Sequence, residues 1–216
     1  GSSSSRILYF HDSLVDNRSS AQKGTIELDG SLTRELNGLT LYNVDINLTT
    51  DTGSIFANIV DILIDNSQGD RGVFNITGAT FISIFARDNT YSLELYNMDV
   101  NITSVDDETG WDPVLDIRDV FIDNRFGSGA GTFSITTNFN IEINYDNGGA
   151  IDGSSFTAFN TDFTIVNNSD VNTRSTYIYN VSLDNSASAQ KGIFSVTTND
   201  ITEVGGINVI NGDVEI

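Results

Sequence analysis

The sequence predicts an all-β fold, a parallel β-helix (β-solenoid), and two observations lead to this prediction. A pattern of aliphatic, any residue, Asn or Asp, aliphatic, any residue, aliphatic, Asp or Asn recurs along the chain, at residues 41–47, 95–101, 117–123 and 178–184. The 216 residues are rich in Val, Ile, Phe and Tyr, which favour strands, and contain a single Pro. A short repeated unit of this kind is typical of solenoids, whose coils bury their apolar faces against their neighbours.

The central residues of the pattern define a series of anchors with a step of about 20 residues. The residue two positions after each anchor is also mostly apolar, so both lie on the inward face of a strand and the residues between them face water. We therefore expect one β-solenoid domain over residues 7–216 with about ten coils, and residues 1–6 as a linker or processed N-terminus. The anchors are Ser13, Leu32, Val44, Ile62, Ile82, Met98, Val120, Ile141, Thr161, Val181 and Ile201.

The position just before the anchor is nearly always Asn or Asp. Aliphatic residues three positions before the anchor, such as Leu41 and Ile59, would lie on the wrong face of a straight strand, so the chain must bend there. Asn tolerates the left-handed conformation of a sharp corner, and its amide can bond to the next coil. We predict a structural ladder of Asn43, Asp61, Asn97, Asp119, Asn140, Asn160, Asn180 and Asp200.

A longer repeat overlies the short one. Its marker is Asp-Asn, then a polar loop, then Gly and an alternating strand, with copies starting at Asp16, Asp65, Asp123 and Asp184. We interpret this repeat as about three coils. The alternative fold is a β-sandwich or jelly-roll array, because short strands separated by turns also suit such folds.

Charge and composition exclude several classes of function. The net charge is −20, with 30 acidic and 10 basic residues, which argues against nucleic-acid binding. The sequence contains no apolar run of about 20 residues, so we predict no membrane-spanning helix. Cysteine is absent, so no disulfide or thiolate metal site is expected. We expect no cofactor except a candidate Ca²⁺ site in an acidic loop, formed by Asp106, Asp107, Glu108 and Asp112; a solvated loop is the alternative.

Six Asn-x-Ser/Thr sequons are candidate glycosylation sites. Asn47 and Asn101 fall in an outward position after the anchor, where a glycan would fit, whereas Asn180 falls in the predicted ladder. The complete set is Asn17, Asn47, Asn75, Asn101, Asn167 and Asn180.

The pattern resembles the right-handed parallel β-helix group of extracellular proteins, including autotransporter passenger domains and polymorphic outer-membrane proteins. The latter carry Phe-x-x-Asn and Gly-Gly-[Ala/Leu/Val]-Ile repeats, which residues 121–124 and 148–151 match. The resemblance implies a secreted or cell-surface location.

Polysaccharide-cleaving enzymes share this fold and provide the main enzymatic alternative. Polygalacturonase-like enzymes combine Asn-Thr-Asp with a downstream Asp-Asp, a Gly-His-Gly and an Arg-x-Lys. Residues 160–162 read Asn-Thr-Asp but fall on the anchor pattern, the Asp-Asp at 106–107 lies upstream, and the only histidine, His11, lacks flanking glycines. We therefore predict that the chain is not an enzyme.

The expected function is a non-enzymatic, extracellular structural or adhesive protein, a subunit or segment of a surface fibre that assembles end to end. Neither end of the sequence predicts a capping helix, and terminal coils of a solenoid expose strand edges. The alternative is a carbohydrate-binding or carbohydrate-cleaving β-helix. A third hypothesis, ice binding, is disfavoured because the threonine pairs at 49–50, 136–137 and 197–198 are not expected to share a column.

Overall fold

The computed structural model describes residues 7–29, 33–49, 56–78, 81–86, 91–104, 114–146, 149–150, 153–169, 175–199 and 201–216. The chain winds into eight coils, and each coil contributes one strand to each of three parallel sheets, A, B and C. This confirms the parallel β-helix. The sandwich and jelly-roll alternative is wrong, because those folds pair their strands antiparallel.

Each sheet has eight strands, one from each coil in order. Sheet A contains β1 (Ile7–His11), β4 (Thr33–Asn37), β7 (Phe56–Val60), β10 (Phe81–Phe85), β13 (Val114–Ile117), β16 (Asn140–Ile143), β21 (Ser175–Tyr179) and β24 (Ile201–Gly205). Sheet B contains β2 (Leu14–Asp16), β5 (Thr40–Tyr42), β8 (Ile62–Asp65), β11 (Leu93–Tyr96), β14 (Val120–Asp123), β19 (Phe156–Phe159), β22 (Val181–Asp184) and β25 (Asn208–Ile210).

Sheet C completes each coil. It contains β3 (Gly24–Asp29), β6 (Val44–Thr49), β9 (Gly72–Thr77), β12 (Met98–Thr103), β15 (Gly131–Thr137), β20 (Thr161–Asn167), β23 (Gly192–Thr198) and β26 (Gly212–Glu215). Coil 6 carries an additional antiparallel pair, β17 (Tyr145–Asp146) and β18 (Gly149–Ala150), between its sheet A and sheet B strands. With a strand spacing of about 4.8 Å, eight coils extend over about 34 Å.

The coils are longer and fewer than the sequence indicated. Ile7 pairs with Thr33 and Ile141 with Thr176, which are 26 and 35 residues apart, so the expected 20-residue coil is wrong, and the described residues form eight coils, not ten. Consecutive anchors lie in different sheets: Val44 in sheet C, Ile62 in sheet B and Ile82 in sheet A. Three anchor steps therefore span two coils, and the longer repeat is also two coils, not three.

The predicted inward columns form the core. The anchors from Val44 to Val181 and the residues two positions after them are buried. Leu41 and Ile59 are buried as well, because a corner separates them from the anchors. Stacked rings run along the interior of sheet C, with centroids 5.2 Å apart for Phe133 and Phe163. Among the described residues, the structure contains no helix long and apolar enough to cross a membrane.

Candidate functional site

The corner between sheets B and C alternates between two forms. In the even coils the corner is a single Asn with positive φ: 55° at Asn43, 55° at Asn97, 50° at Asn160 and 53° at Asn211. In the odd coils it is a loop that begins with the Asn of the Asp-Asn marker and ends before a Gly. The loops comprise residues 17–23, 66–71, 124–130 and 185–191. This alternation explains why the longer repeat comprises two coils.

Each even-coil corner Asn donates into the loop of the preceding odd coil. Asn97 Nδ2 donates to the carbonyl oxygens of Asn66, at 3.1 Å, and Gly69, at 3.0 Å. Asn160 Nδ2 donates in the same way to the carbonyls of Asn124 and Gly129. Because Asn97 and Asn160 are buried, their amides are structural parts of the corner.

In coils 3, 5 and 7, the loop Asn bonds back to the even coil before it. Asn66 Oδ1 accepts the Val44 N–H at 2.9 Å, Asn124 Oδ1 accepts the Met98 N–H at 2.7 Å, and Asn185 Oδ1 accepts the Thr161 N–H at 2.7 Å. These three side-chain oxygens accept backbone N–H groups that would otherwise have no hydrogen-bond partner at the corner. All three loop asparagines are at most 1% exposed.

A carboxylate of the even coil completes the contact with the odd coil after it. Asp99 Oδ1 accepts the N–H of Thr132 at 2.8 Å. Asp45 accepts from Val73 at 2.8 Å, and Asp162 accepts from Ile193 at 2.9 Å. We call these alternating bonds of corner Asn, loop Asn and carboxylate the B–C interlock.

The structure places the predicted ladder residues in two columns instead of one. Asn43, Asn97 and Asn160 belong to the B–C interlock, whereas Asp61, Asp119 and Asn180 lie at the corner between sheets A and B, all with φ between 50° and 55°. Asn140 is the first residue of strand β16 and does not form a corner, and its Oδ1 accepts the Ser175 N–H. Asp200 lies outside the described residues. Sequence reasoning missed the loop residues Asn66, Asn124 and Asn185, although the Asp-Asn marker contained them, and the corner residues Asn144 and Asn211.

The outer face of sheet C has a column of amides. Glu27, Asn47, Asn75, Asn101, Ser134, Thr164, Ser195 and Glu215 are successive neighbours across the sheet. Asn75 Nδ2 donates to Asn47 Oδ1 at 2.8 Å, and Asn101 Nδ2 donates to Asn75 Oδ1 at 3.0 Å. Three of the six sequons therefore arise from this column and the threonines two positions further along.

Those threonines form a second column, contrary to the sequence-based expectation. Thr49, Thr77, Thr103, Thr136, Val166 and Thr197 are in register across sheet C. The expectation failed because the loops between these strands differ in length, which hides the register in the sequence. The column begins at Asp29, and the carboxylates of Asp45 and Asp99 lie on the far side of the amide column, four positions before Thr49 and Thr103.

The remaining sequons differ in what surrounds their amides. Asn167 is 1% exposed, and its Nδ2 donates to the Phe139 carbonyl and Thr176 Oγ1, so a glycan does not fit there. Asn17 lies in a loop, where its Nδ2 donates to the Gln22 carbonyl. Asn180 Nδ2 donates to the Ser154 carbonyl at 3.4 Å.

We predict that expression through a eukaryotic secretory route attaches glycans to Asn47 and Asn101 before Asn180. The transferase requires an accessible Asn, and Asn180 occupies a corner with φ of 53°. Glycopeptide mass spectrometry measures the occupancy of each site. Occupied Asn180 with unmodified Asn47 would contradict the prediction, and Asn167 serves as the internal control expected to stay unmodified in folded protein.

The outer face of sheet B alternates carboxylates with aromatic or apolar side chains. In register from coil 1 to coil 8 the column reads Asp16, Tyr42, Asp65, Tyr96, Asp123, Phe159, Asp184 and Ile210. Arginines from odd-coil loops cover two of the rings, with the guanidinium carbon of Arg18 3.9 Å from the Tyr42 centroid and that of Arg125 4.1 Å from the Phe159 centroid.

Local hydrogen bonds shift several pKa values in sheet B and at one position in sheet A. The Arg18 guanidinium lowers the pKa of Asp16 to about 2, and bonds from Ser186 lower the pKa of Asp184. Because the pKa of Asp16 in the folded chain lies below the ordinary value of 3.8, its ionised carboxylate stabilises the fold at pH values above 3.8. This contribution is lost as the pH falls through about 2. A bond to Glu203 raises the pKa of Tyr179 to about 12.

The candidate Ca²⁺ ligands Asp106, Asp107, Glu108 and Asp112 all lie outside the described residues. Within the described ranges, no group of three or more His, Cys, Asp or Glu side chains is arranged to hold a metal ion. Of the two motifs that carried the family resemblance, residues 121–124 span the end of β14 and the start of an odd-coil loop, and residues 148–151 are only partly described.

Comparisons with known proteins identify no relative: no protein-family model, curated protein or solved structure matches this chain.

Proposed function

We propose that the chain is a non-enzymatic structural or adhesive protein, secreted or at the cell surface, which forms part of a fibre and assembles end to end. The observation that carries the proposal is the distribution of incompletely buried core residues. Among the described side chains, all seven apolar residues that pack only partly buried against the core lie in the two end coils. They are Phe10, Val15, Ile26 and Leu28 in coil 1 and Val204, Ile207 and Val209 in coil 8.

Axial stacking would bury this surface without a new type of contact. The interior coils already bury the equivalent residues between neighbours, as with Ile46 and Phe74. Burial of apolar surface provides about 25 cal/mol per Å² and is the main favourable term in association. The net charge of −20 opposes side-by-side contact, so growth along the axis is favoured.

The engagement of the carboxylates supports a structural role. Asp45, Asp99 and Asp162 accept backbone N–H groups in the B–C interlock. Others pair with arginine two residues away, such as Asp116 with Arg118 at 2.7 Å. These acidic side chains hold the coils and loops in place.

We predict that the purified chain forms rods of variable length. Sedimentation velocity should show species that increase in size with protein concentration, and negative-stain images should show particles of uniform width. A single monomeric species over the whole accessible concentration range would overturn the end-to-end proposal and favour a free-standing binding domain.

A second candidate function is carbohydrate binding, and a group of aromatic side chains on the outer face of sheet B favours it. Ring centroids are 5.1 Å apart for Tyr91 and Phe121, 5.8 Å for Tyr96 and Phe121, and 6.2 Å for Tyr96 and Phe126. Phe126 is 55% exposed, and Phe121 also contacts Phe159 at 5.9 Å. Aromatic rings beside carboxylates provide the stacking surface and hydrogen-bond acceptors that sugars use.

We predict that a glycan binding here loses affinity when Phe126 is replaced by alanine. Affinity electrophoresis against neutral and acidic polysaccharides measures this, with Tyr9→Ala as the control because Tyr9 is similarly exposed, at 57%, but lies on sheet A. Equal losses in both variants would argue against this surface. Release of reducing ends or of unsaturated products in the same incubations would overturn the non-enzymatic proposal.

A further inference from the structure

The B–C interlock makes the two ends of the rod different. Contacts from an even coil to the following odd coil occur three times, between coils 2 and 3, 4 and 5, and 6 and 7. Each uses two hydrogen bonds that run in opposite directions. In the central copy, Met98 N–H donates to Asn124 Oδ1 at 2.7 Å, and Thr132 N–H donates to Asp99 Oδ1 at 2.8 Å.

The two end coils carry the four groups of one more such contact. In coil 8, Gly212 and Asp213 follow the corner residue Asn211 as Met98 and Asp99 follow Asn97. In coil 1, Asn17 begins the loop and Thr25 follows the Gly after the loop, as Asn124 and Thr132 do in coil 5.

We infer that copies of this chain stack head to tail in one register, with coil 8 of one copy on coil 1 of the next. In that register Gly212 N–H donates to Asn17 Oδ1 of the next copy, and Asp213 accepts from Thr25 N–H of the next copy. The inference rests on the proposed end-to-end assembly and specifies its partner, a second copy of this chain, and its geometry.

Strand lengths and core columns agree with this register. Strands β24 and β1 have five residues each, and β25 and β2 have three each. The inward columns of coil 8 continue into those of coil 1. Val204 meets Phe10 of the next copy, Val209 meets Val15, and Val214 meets Ile26. Val214 is 53% exposed in the single chain, so the contact would complete its burial.

One pair of side chains opposes the contact. The amide column on sheet C begins at Glu27 and ends at Glu215, and the register places these two carboxylates directly opposite each other. Like charges facing each other across neighbouring strands are destabilising, by a factor of about 1.5 to 5 in an equilibrium constant. The Debye length falls from about 30 Å at 0.01 M salt to about 8 Å at 0.15 M, so added salt weakens the repulsion between the two carboxylates. Salt should therefore promote stacking.

The absence of cysteine allows a direct test of the register. Glu27→Cys and Glu215→Cys variants are mixed and oxidised at 0.15 M salt, and disulfide-linked pairs are identified by mass spectrometry. Facing residues of neighbouring strands have Cα atoms about 5 Å apart, within the range of a disulfide. The control mixture pairs Glu27→Cys with Asp213→Cys, which the register separates by about 8 Å, beyond that range.

Two further variants test the contact without cross-linking. Val214→Asp places a charge in the continued core, where Val214 is 53% exposed in the single chain, and should abolish assembly. Thr103→Asp adds the same charge at an exposed position of interior coil 4 and should leave assembly unchanged. The double variant Glu27→Asn with Glu215→Asn replaces the two facing carboxylates by amides like those of the interior coils. It should raise the association constant about 2- to 5-fold at low salt and weaken the salt dependence.

Cross-links between positions 27 and 215, with few or none between 27 and 213, are the expected result. Links between two copies of position 27, or equal yields in both mixtures, would overturn the register even if sedimentation shows rods, and the proposed end-to-end function would then stand without it. Circular dichroism of each variant identifies loss of folding. If the unmodified chain stays monomeric at all salt concentrations, both the register and the end-to-end assembly fail.

Discussion

Replacing Asn97 by valine is expected to lower the free energy of unfolding by about 3–5 kcal/mol, one of the two largest effects that the corner geometry predicts. Asn97 has a φ of 55°, a conformation that a β-branched residue adopts only with strain. The change also removes both hydrogen bonds from Nδ2 to the preceding loop. Urea unfolding followed by circular dichroism measures the difference.

Two comparison variants separate the causes. Asn97→Gly removes the hydrogen bonds but tolerates the positive φ, so it should cost less than valine. Thr103→Val introduces the same residue at an exposed position of the same coil and should change stability by no more than about 0.5 kcal/mol. If Asn97→Val were as mild as Thr103→Val, the corner would not depend on the asparagine. Asp99 is unsuitable as a neutral control, because its carboxylate bonds to Thr132.

Replacing Gly192 by alanine is expected to destabilise the fold by about 2–4 kcal/mol. A Cβ at Gly192 would lie 1.6 Å from Asn185 Nδ2, so the buried amide must move. Asn185 would then lose its bonds to the N–H and carbonyl of Thr161, and the interlock between coils 6 and 7 would open. Thermal unfolding of the purified variant provides the measurement.

Coil 1 supplies the matched control, because residues 20–24 repeat the sequence of residues 188–192. A Cβ at Gly24 would lie 3.4 Å from Asn17 Nδ2, which is ordinary contact, so Gly24→Ala should be tolerated. Equal destabilisation by the two substitutions would show that backbone freedom of the glycine, and not the position of the neighbouring amide, determines the cost.

The sequence was sufficient to predict the parallel β-helix but not the length of its coils. Period-two alternation, as at Val44 and Ile46, identified strands and their inward faces because a strand's side chains alternate by geometry. The predicted number of coils was wrong because the corners between different pairs of sheets have similar sequences. Asp61 and Asn97 have the same left-handed conformation and each is followed by a buried apolar residue, although they lie at different corners. The local sequence indicates that the chain bends, but it does not indicate which two sheets the bend connects.

The candidate site was predicted in part for the same reason. Asn97 and Asn160 were identified because a left-handed corner has a local signature. Their partners were not, because the bond from Met98 to Asn124 joins residues 26 positions apart and depends on how the coils stack. The threonine column was missed because its register follows from loops of unequal length.

The alternation of corners also restricts how such a chain can change length during evolution. Successive tight corners at Asn43, Asn97, Asn160 and Asn211 are 54, 63 and 51 residues apart, and each interval contains one loop corner. Duplication or deletion of one whole interval preserves every Asn-to-loop partnership. Gain or loss of a single coil would bring two tight corners, or two loops, into direct contact and leave their amides without partners. Length variants of this architecture should therefore differ in steps of one interval, which is 51 to 63 residues in this chain, as recombination between equivalent corners would produce.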